Sequence, residues 1–128
     1  MPEISIIIRT KNEERWITPC LEAVFRQKHP SFEVILVDNM SIDSTVDRAK
    51  NFPVKIFTIE EFRPGRAINF GIENASGGIL VCLSGHCIPV HSEWLQALTN
   101  PLYDPIVGGV YGRQQQMSFS KDTDKRDL

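Results

Sequence analysis

The sequence predicts an α/β fold, a three-layer sandwich around a mostly parallel sheet. Three observations carry that reading. Short apolar, β-branched runs recur at Ile4 to Ile8, Glu33 to Val37, Val54 to Thr58 and Ile79 to Leu83, each of strand length. Stretches with helical apolar spacing separate them. The connections are short, and a βαβαβαβ order with short connections requires parallel strands joined by right-handed crossovers.

The elements follow in order. Ile4 to Ile8 reads as a first buried strand, and Thr10-Lys11-Asn12-Glu13-Glu14 as a polar turn. Trp16, Ile17, Leu21, Val24 and Phe25 share one helical face, and His29-Pro30-Ser31 breaks that helix. Val34-Ile35-Leu36-Val37 has no polar alternation, as expected of a strand buried on both faces. Asp43 is the expected N-cap of a helix reaching about Asn51. Val54 to Thr58 follows Pro53 as the third strand. Pro64-Gly65 opens a turn, a helix runs from about Arg66 to Ala75, and Ser76-Gly77-Gly78 stops it. Ile79 to Leu83 is a fourth buried strand. Ser92 to Asn100 reads as a helix with Trp94, Leu95 and Leu98 inward, and Val107 to Arg113 as a further strand. Residues 1–113 hold these elements, while 114–128 form a polar tail expected to fray.

Composition narrows the function. The 128 residues suffice for one domain, with 41% hydrophobic and 23% charged residues. A net charge of −2 gives no basis for nucleic-acid binding. No apolar run approaches the roughly 18 residues of a membrane span. Met1-Pro2-Glu3 does not open a signal peptide, so a cytoplasmic location is expected. Cys20, Cys82 and Cys87 form no CxxC pair and read as free thiols in a reducing compartment.

Every strand delivers polar residues to one edge. Strand one delivers Arg9, Thr10, Lys11, Asn12, Glu13 and Glu14; strand two delivers Asp38, Asn39 and Ser41. Arg63, Gly65 and Arg66 follow strand three, and Ser84, Gly85, His86 and Cys87 follow strand four. In open α/β sheets the carboxyl edge is where ligands bind. The set offers carboxylates for a base or sugar and cations for phosphate. Asp38 is placed to accept hydrogen bonds from a ligand; the plainer alternative is that Asp38 only caps its turn and Asp43 only caps a helix.

Three segments resemble family 2 glycosyltransferases. Val37-Asp38-Asn39-Met40-Ser41-Ile42-Asp43-Ser44-Thr45 is similar to that family's "DDGSTD" segment, and Ser5 to Glu14 to its "iPtyNEe" start. Arg66 to Leu83 is similar to "aRNxGixxAxGeyixfL". Order and spacing agree from about Pro2 to Trp94. The resemblance implies a GT-A fold, here truncated, and an inverting glycosyltransferase that moves a sugar from a nucleotide diphosphate sugar to an acceptor hydroxyl. Carried over by position, Thr10 and Asn12 would lie along the nucleoside with Glu14 and Ser41 beside them, Asp38 would bond the base, and Arg66 would sit near the diphosphate or sugar. Polysaccharide biosynthesis, with peripheral association at the inner membrane face, is the setting by analogy.

Two departures stand out. After Leu83 the family has an Asp-x-Asp pair holding Mg²⁺ or Mn²⁺ against the diphosphate. This chain has Ser84-Gly85-His86-Cys87. The first carboxylate is lost; His86 is the leading candidate metal ligand, for a Mn²⁺-like ion, with Cys87 a second, weaker one. The family's catalytic base lies in a later half that nothing after Arg113 matches, so the catalytic residue is unassigned. Glu13, Glu14, Glu60 and Glu61 read as solvated turn carboxylates. The expectation is therefore the donor-binding half of an enzyme, catalytically incomplete by itself, with a GT-A-like nucleotide-binding module lacking transfer activity as the alternative. A nucleotidyltransferase would want a glycine-rich loop after strand one, and Thr10 to Glu14 has no glycine.

Overall fold

The computed structural model describes residues 2–60 and 64–109. Strands β1 (Ile4–Thr10), β2 (Phe32–Asp38), β3 (Lys55–Thr58) and β4 (Ile79–Ser84) form one sheet in the order β3-β2-β1-β4. Every neighbouring pair is parallel. The helices are α1 (Ile17–Phe25), α2 (Thr45–Ala49), α3 (Pro64–Glu73) and α4 (Trp94–Thr99). The β1–β2 register runs from Ile4 opposite Phe32 to Thr10 opposite Asp38. Both strands therefore end level, and their loops leave side by side. On the other flank of β1, Arg9 lies opposite Ser84.

This order reverses direction once. From β1 to β2 to β3 the chain steps one way; β4 then returns to the far side of β1. Right-handed crossovers put α1 and α2 on one face and α3 on the other. The packing agrees: α3 lies on β1 and β2, and α1 packs against α2. Beneath α3, Ala67 meets Ile7, Ile35 and Val37, with Phe57, Ile59, Phe70 and Ala75 alongside. Gly71 lets the helix approach β1 closely, since a Cβ there would stand 2.4 Å from Ile7 Cγ2. Strand alternation sends Ile6, Ile8, Val34 and Leu36 to the opposite face, where all are buried. The inward residues of α1 are Ile17, Cys20, Leu21 and Val24. Phe25 closes its end by stacking on Phe52 at 5.9 Å.

The sheet's amino edge is fastened by Glu33. Its Oε2 accepts from Ser5 Oγ at 2.5 Å and from the Ser76 N–H at 2.7 Å, and Lys55 Nζ lies 3.0 Å from Oε1. Ser5 Oγ accepts in turn from the Gly77 N–H at 2.8 Å. Burial works against the charged form of Glu33, but the bonds from Ser5, Ser76 and Lys55 outweigh it and hold the carboxyl below its ordinary range.

Several expectations need correction. β4 is not buried on both faces: among the described residues it pairs only with β1, Leu80 is 40% exposed and Cys82 is exposed. An apolar edge strand and an apolar central strand have the same composition. α2 stops at Ala49, and its N-cap is Ser44 rather than Asp43. α3 starts at Pro64, where a missing N–H is harmless in the first turn. α4 is shorter than expected and runs into a 3₁₀ turn at Asn100–Tyr103; Leu95 is buried, while Trp94 and Leu98 are half-buried. Residues 107–109 are irregular, and the remainder of the strand expected there lies outside the described residues, as does the 113/114 boundary. The chain separates into compact units Met1–Gln96 and Ala97–Leu128. No helix among the described residues is long and apolar enough to cross a membrane.

Candidate functional site

Level strand ends bring Thr10 to Asp38. Thr10 Oγ1 donates to Asp38 Oδ1 at 2.6 Å, with Thr10 4% and Asp38 1% exposed. Ser41 donates twice to the same carboxylate, from Oγ to Oδ1 at 2.6 Å and from its N–H to Oδ2 at 2.9 Å. These bonds use three of the roughly four lone-pair sites of a carboxylate. Asp38 thus closes its own turn, as the plainer reading expected.

The zip continues outward. Ser41 Oγ accepts from the Asn12 N–H at 2.8 Å, and Asn12 Oδ1 accepts from the Ile42 N–H at 2.9 Å. Glu13 donates its N–H to Thr45 Oγ1 at 2.8 Å. Glu14 donates its N–H to Asp43 Oδ2 at 3.2 Å, and its Oε2 accepts from the Ser44 N–H at 3.0 Å. Asp43 also accepts from the Thr45 N–H at 3.0 Å, so it caps α2 from one residue further out than expected. Burial opposes the charge on Asp43, but bonds from Thr45 and Glu14 prevail and hold its carboxyl below the ordinary range. Thr10, Asn12, Glu14, Asp38 and Ser41 therefore belong to one network.

Two residues of these loops have left-handed backbone: Asn12 at φ 52° and Met40 at φ 51°. Asparagine tolerates that region, whereas an ordinary side chain pays roughly 1–2 kcal/mol. Met40 stands where the similar family segment has glycine. Its side chain is half-exposed, beside an almost fully exposed Ile42.

Arg66 lines a cleft of about 350 Å³ with Ile59, Glu60 and Phe70. The Ile59 N–H donates to the Asp38 carbonyl at 2.9 Å, which places the cleft wall next to the Asp38 turn.

Across β1, the segment after β4 turns back onto the first loop. Gly85 donates its N–H to the Arg9 carbonyl at 3.0 Å. A Cβ at Gly85 would stand 2.6 Å from Thr10 Cγ2 and 3.3 Å from Glu13 Cγ. That seating brings His86 Nδ1 to 3.0 Å from Glu13 Oε1 and 3.1 Å from Ser84 Oγ. Glu13 and Glu14 are thus not solvated turn carboxylates; one faces His86 and the other holds Ser44. Sequence reading missed the Glu13–His86 pair because 73 residues separate its members. The available signal was topological: the fourth strand had to lie beside the first. His29 and His91 are turn residues, each accepting an N–H two positions on.

The donor set does not suit a hard divalent cation. Among the described residues no group of three His, Cys, Asp or Glu could hold a metal. The Ser84–Cys87 segment offers a hydroxyl, an imidazole and a thiol, whereas such cations want several oxygens. Burial pushes the Cys87 thiol up, and pushes Cys20 up to about 12, so both stay protonated at neutral pH. All three cysteines are free.

Comparison with known proteins places this geometry in context. The family model described as glycosyl transferase family 2 matches residues 5–127. A Methanococcus voltae dolichyl N-acetyl-alpha-D-glucosaminyl phosphate 3-beta-D-2,3-diacetamido-2,3-dideoxy-beta-D-glucuronosyltransferase is 41% identical over 95 residues, 67% of this chain and 30% of the relative. Glycosyltransferase AglE of Haloferax volcanii is 40% identical over 104 residues, 75% of this chain and 34% of its own length. The chain therefore spans about a third of these curated relatives. Among solved structures, the Pyrobaculum calidifontis mannosyltransferase PcManGT, in complex with GDP-Man and Mn²⁺, superposes with TM-score 0.75 at 26% identity, covering 84% of this chain and 34% of that one. Mycobacterium tuberculosis glucosyl-3-phosphoglycerate synthase with UDP gives TM-score 0.69 at 25% identity, covering 80% and 40%.

Proposed function

The chain belongs to glycosyl transferase family 2 and has the GT-A fold, and on that premise we propose that it supplies the donor-binding half of an inverting glycosyltransferase. The observation that carries this reading is the convergence of the Thr10–Asn12–Asp38–Ser41 network and the Arg66 cleft at the sheet's carboxyl edge. In it, the zipped loops form a rigid floor for a nucleoside. Asp38 acts from beneath, holding Thr10 and Ser41, which with Asn12 and Glu14 set the loops against the base. Arg66 meets the diphosphate or the sugar. An acceptor hydroxyl attacks the anomeric carbon as the nucleoside diphosphate leaves, and the base that takes its proton is not assigned to any described residue. Support comes from the similar proteins whose structures hold GDP-Man or UDP. The dolichyl N-acetyl-alpha-D-glucosaminyl phosphate in the Methanococcus relative's name favours a lipid-linked acceptor, and with it peripheral membrane association.

Calorimetric titration with UDP, GDP and dTDP tests this. At least one should bind, and Arg66→Ala should weaken it roughly tenfold, the equivalent of one lost charge-assisted contact. A chain that binds none of the three refutes the donor-site reading. The second reading, a nucleotide-binding module without transfer activity, is favoured by Ser84-Gly85-His86, which stands where the similar family segment has its Asp-x-Asp pair. Nucleotide binding without measurable sugar transfer to any acceptor, in the longest natural form of the protein, would select it.

A further inference from the structure

We propose that Lys11 and Met40 read the nucleobase of the donor: Lys11 donates to a ring carbonyl while the Met40 side chain lies against the face of the ring, so the site takes keto bases ahead of amino bases. The inference rests on the donor-site reading above and says which of its residues select the nucleotide.

The residue that holds the floor together does not face the ligand. Asp38 is buried, and both of its oxygens accept bonds from Thr10 or Ser41. Thr10 is buried with it. Recognition of a base therefore falls to the layer above. From Arg9 to Glu14 and from Asn39 to Ser44, the exposed residues are Lys11, Asn12, Met40 and Ile42. Asn12 spends its N–H and its Oδ1 on the opposite loop. Lys11 supplies a cation at this surface, and Met40 and Ile42 supply its apolar part. The segments quoted for the family resemblance read tyrosine at the place of Lys11 and glycine at that of Met40, so neither role is carried over from that resemblance.

Geometry brings the two residues together. Lys11 Nζ donates to the Met40 carbonyl at 3.3 Å. An ammonium carries three donors, and this carbonyl takes one. The bond ties the charge to the turn that carries the Met40 side chain. Met40 adopts left-handed backbone without burying that side chain, and a thioether packs well on an aromatic ring. Strand β2 lies between β1 and β3. The loop after β2 thus has Lys11 on its β1 side and the cleft wall at Ile59 on its β3 side. A base on this loop sits between the cation and the cleft that holds Arg66. Chemistry then sets the preference. An ammonium only donates, so it suits the keto oxygen of uracil, thymine or guanine. Cytosine and adenine present an amino donor at the corresponding ring position.

The test measures affinities for UDP and CDP, and for GDP and ADP, by competition calorimetry on the parent chain, Lys11→Met and Met40→Gly. Each pair differs in the keto or amino character of its base and shares the same diphosphate. The parent should bind the keto member of at least one pair roughly tenfold tighter than the amino member. Lys11→Met keeps the stem and removes the ammonium. It should bring that ratio to within about twofold of one, by weakening the keto member and leaving the amino member unchanged. A ratio of two affinities on one variant is insensitive to the fraction of folded protein. Met40→Gly should weaken both members of the pair roughly threefold and preserve their ratio. It also relieves the left-handed methionine, so a weakened fold would not account for that loss. Equal weakening of keto and amino members in Lys11→Met would make Lys11 a phosphate contact and overturn the inference. So would a ratio that Lys11→Met leaves intact, a parent that binds both members of each pair equally, or a Met40→Gly that binds as the parent does. In those cases nucleotides still bind and the donor-site reading stands. A parent that binds none of the four overturns both.

Discussion

Thr10→Val isolates the innermost bond of the site. The substitution keeps volume and β-branching and removes only the hydroxyl that donates to Asp38 at 2.6 Å. Both residues are buried, so water cannot replace that donor. A hydrogen bond to a charged acceptor contributes about 1.5–3 kcal/mol. The added methyl returns up to ~0.8 kcal/mol of apolar burial, which leaves a net loss of ~1–2 kcal/mol. For a domain of this size that lowers Tm by about 4–7 °C. In urea it lowers the midpoint by roughly 0.5–1 M with unchanged slope. Circular dichroism through a urea series reads both. Thr58→Val is the control: it lies opposite Asp38 on β3 but is exposed, and should stay within about 0.5 kcal/mol of the parent. A Thr10→Val midpoint as close to the parent as that control would refute the view that this bond fixes the floor of the site.

Two more outcomes follow from the geometry. Met40→Gly should raise stability by ~0.5–1 kcal/mol, because it relieves a left-handed methionine in a turn whose bonds otherwise stay in place; an unchanged or lower urea midpoint would contradict this. Glu33 should make stability pH-dependent in acid. Its folded carboxyl lies below the ordinary 4.5, so its contribution is complete above that value and is lost as pH falls through the lowered folded one. The gap in urea midpoint between the parent and Glu33→Gln should narrow steadily on acidification below pH about 4.5, and a gap independent of pH would rule the network out.

The sheet was legible because a fully buried parallel strand leaves a mark that needs no partner to read, as in Val34-Ile35-Leu36-Val37. Even there the exposure of Leu80 and Cys82 on β4 was hidden, since Ile79 to Leu83 is as apolar as a fully buried strand. In the site, Thr10, Asn12, Asp38 and Ser41 could be gathered from sequence because each follows a strand end, and parallel strands align their ends. What those residues bond to was not legible. The Asp38 carboxylate is largely occupied by Thr10 and Ser41, a fact set by register rather than by residue type. The Glu13–His86 pair and the Gly85 seat depend on β4 lying beside β1, which no local pattern announces.

The bonds that zip the first loop to the second all join residues 28 to 34 positions apart. Closing a loop of that length costs little more than closing a shorter one, because the entropy grows only with the logarithm of length. They also close less chain than the contact that brings in His86. The last residue they require is Arg48, whereas His86 is drawn in across 73 positions. On a ribosome adding roughly 5–20 residues per second, several seconds of synthesis separate the two events. The bonds between the first two loops thus call on no residue beyond Arg48, and the Ser84–Cys87 turn has to fit beside them at a place with no room for a side chain at position 85.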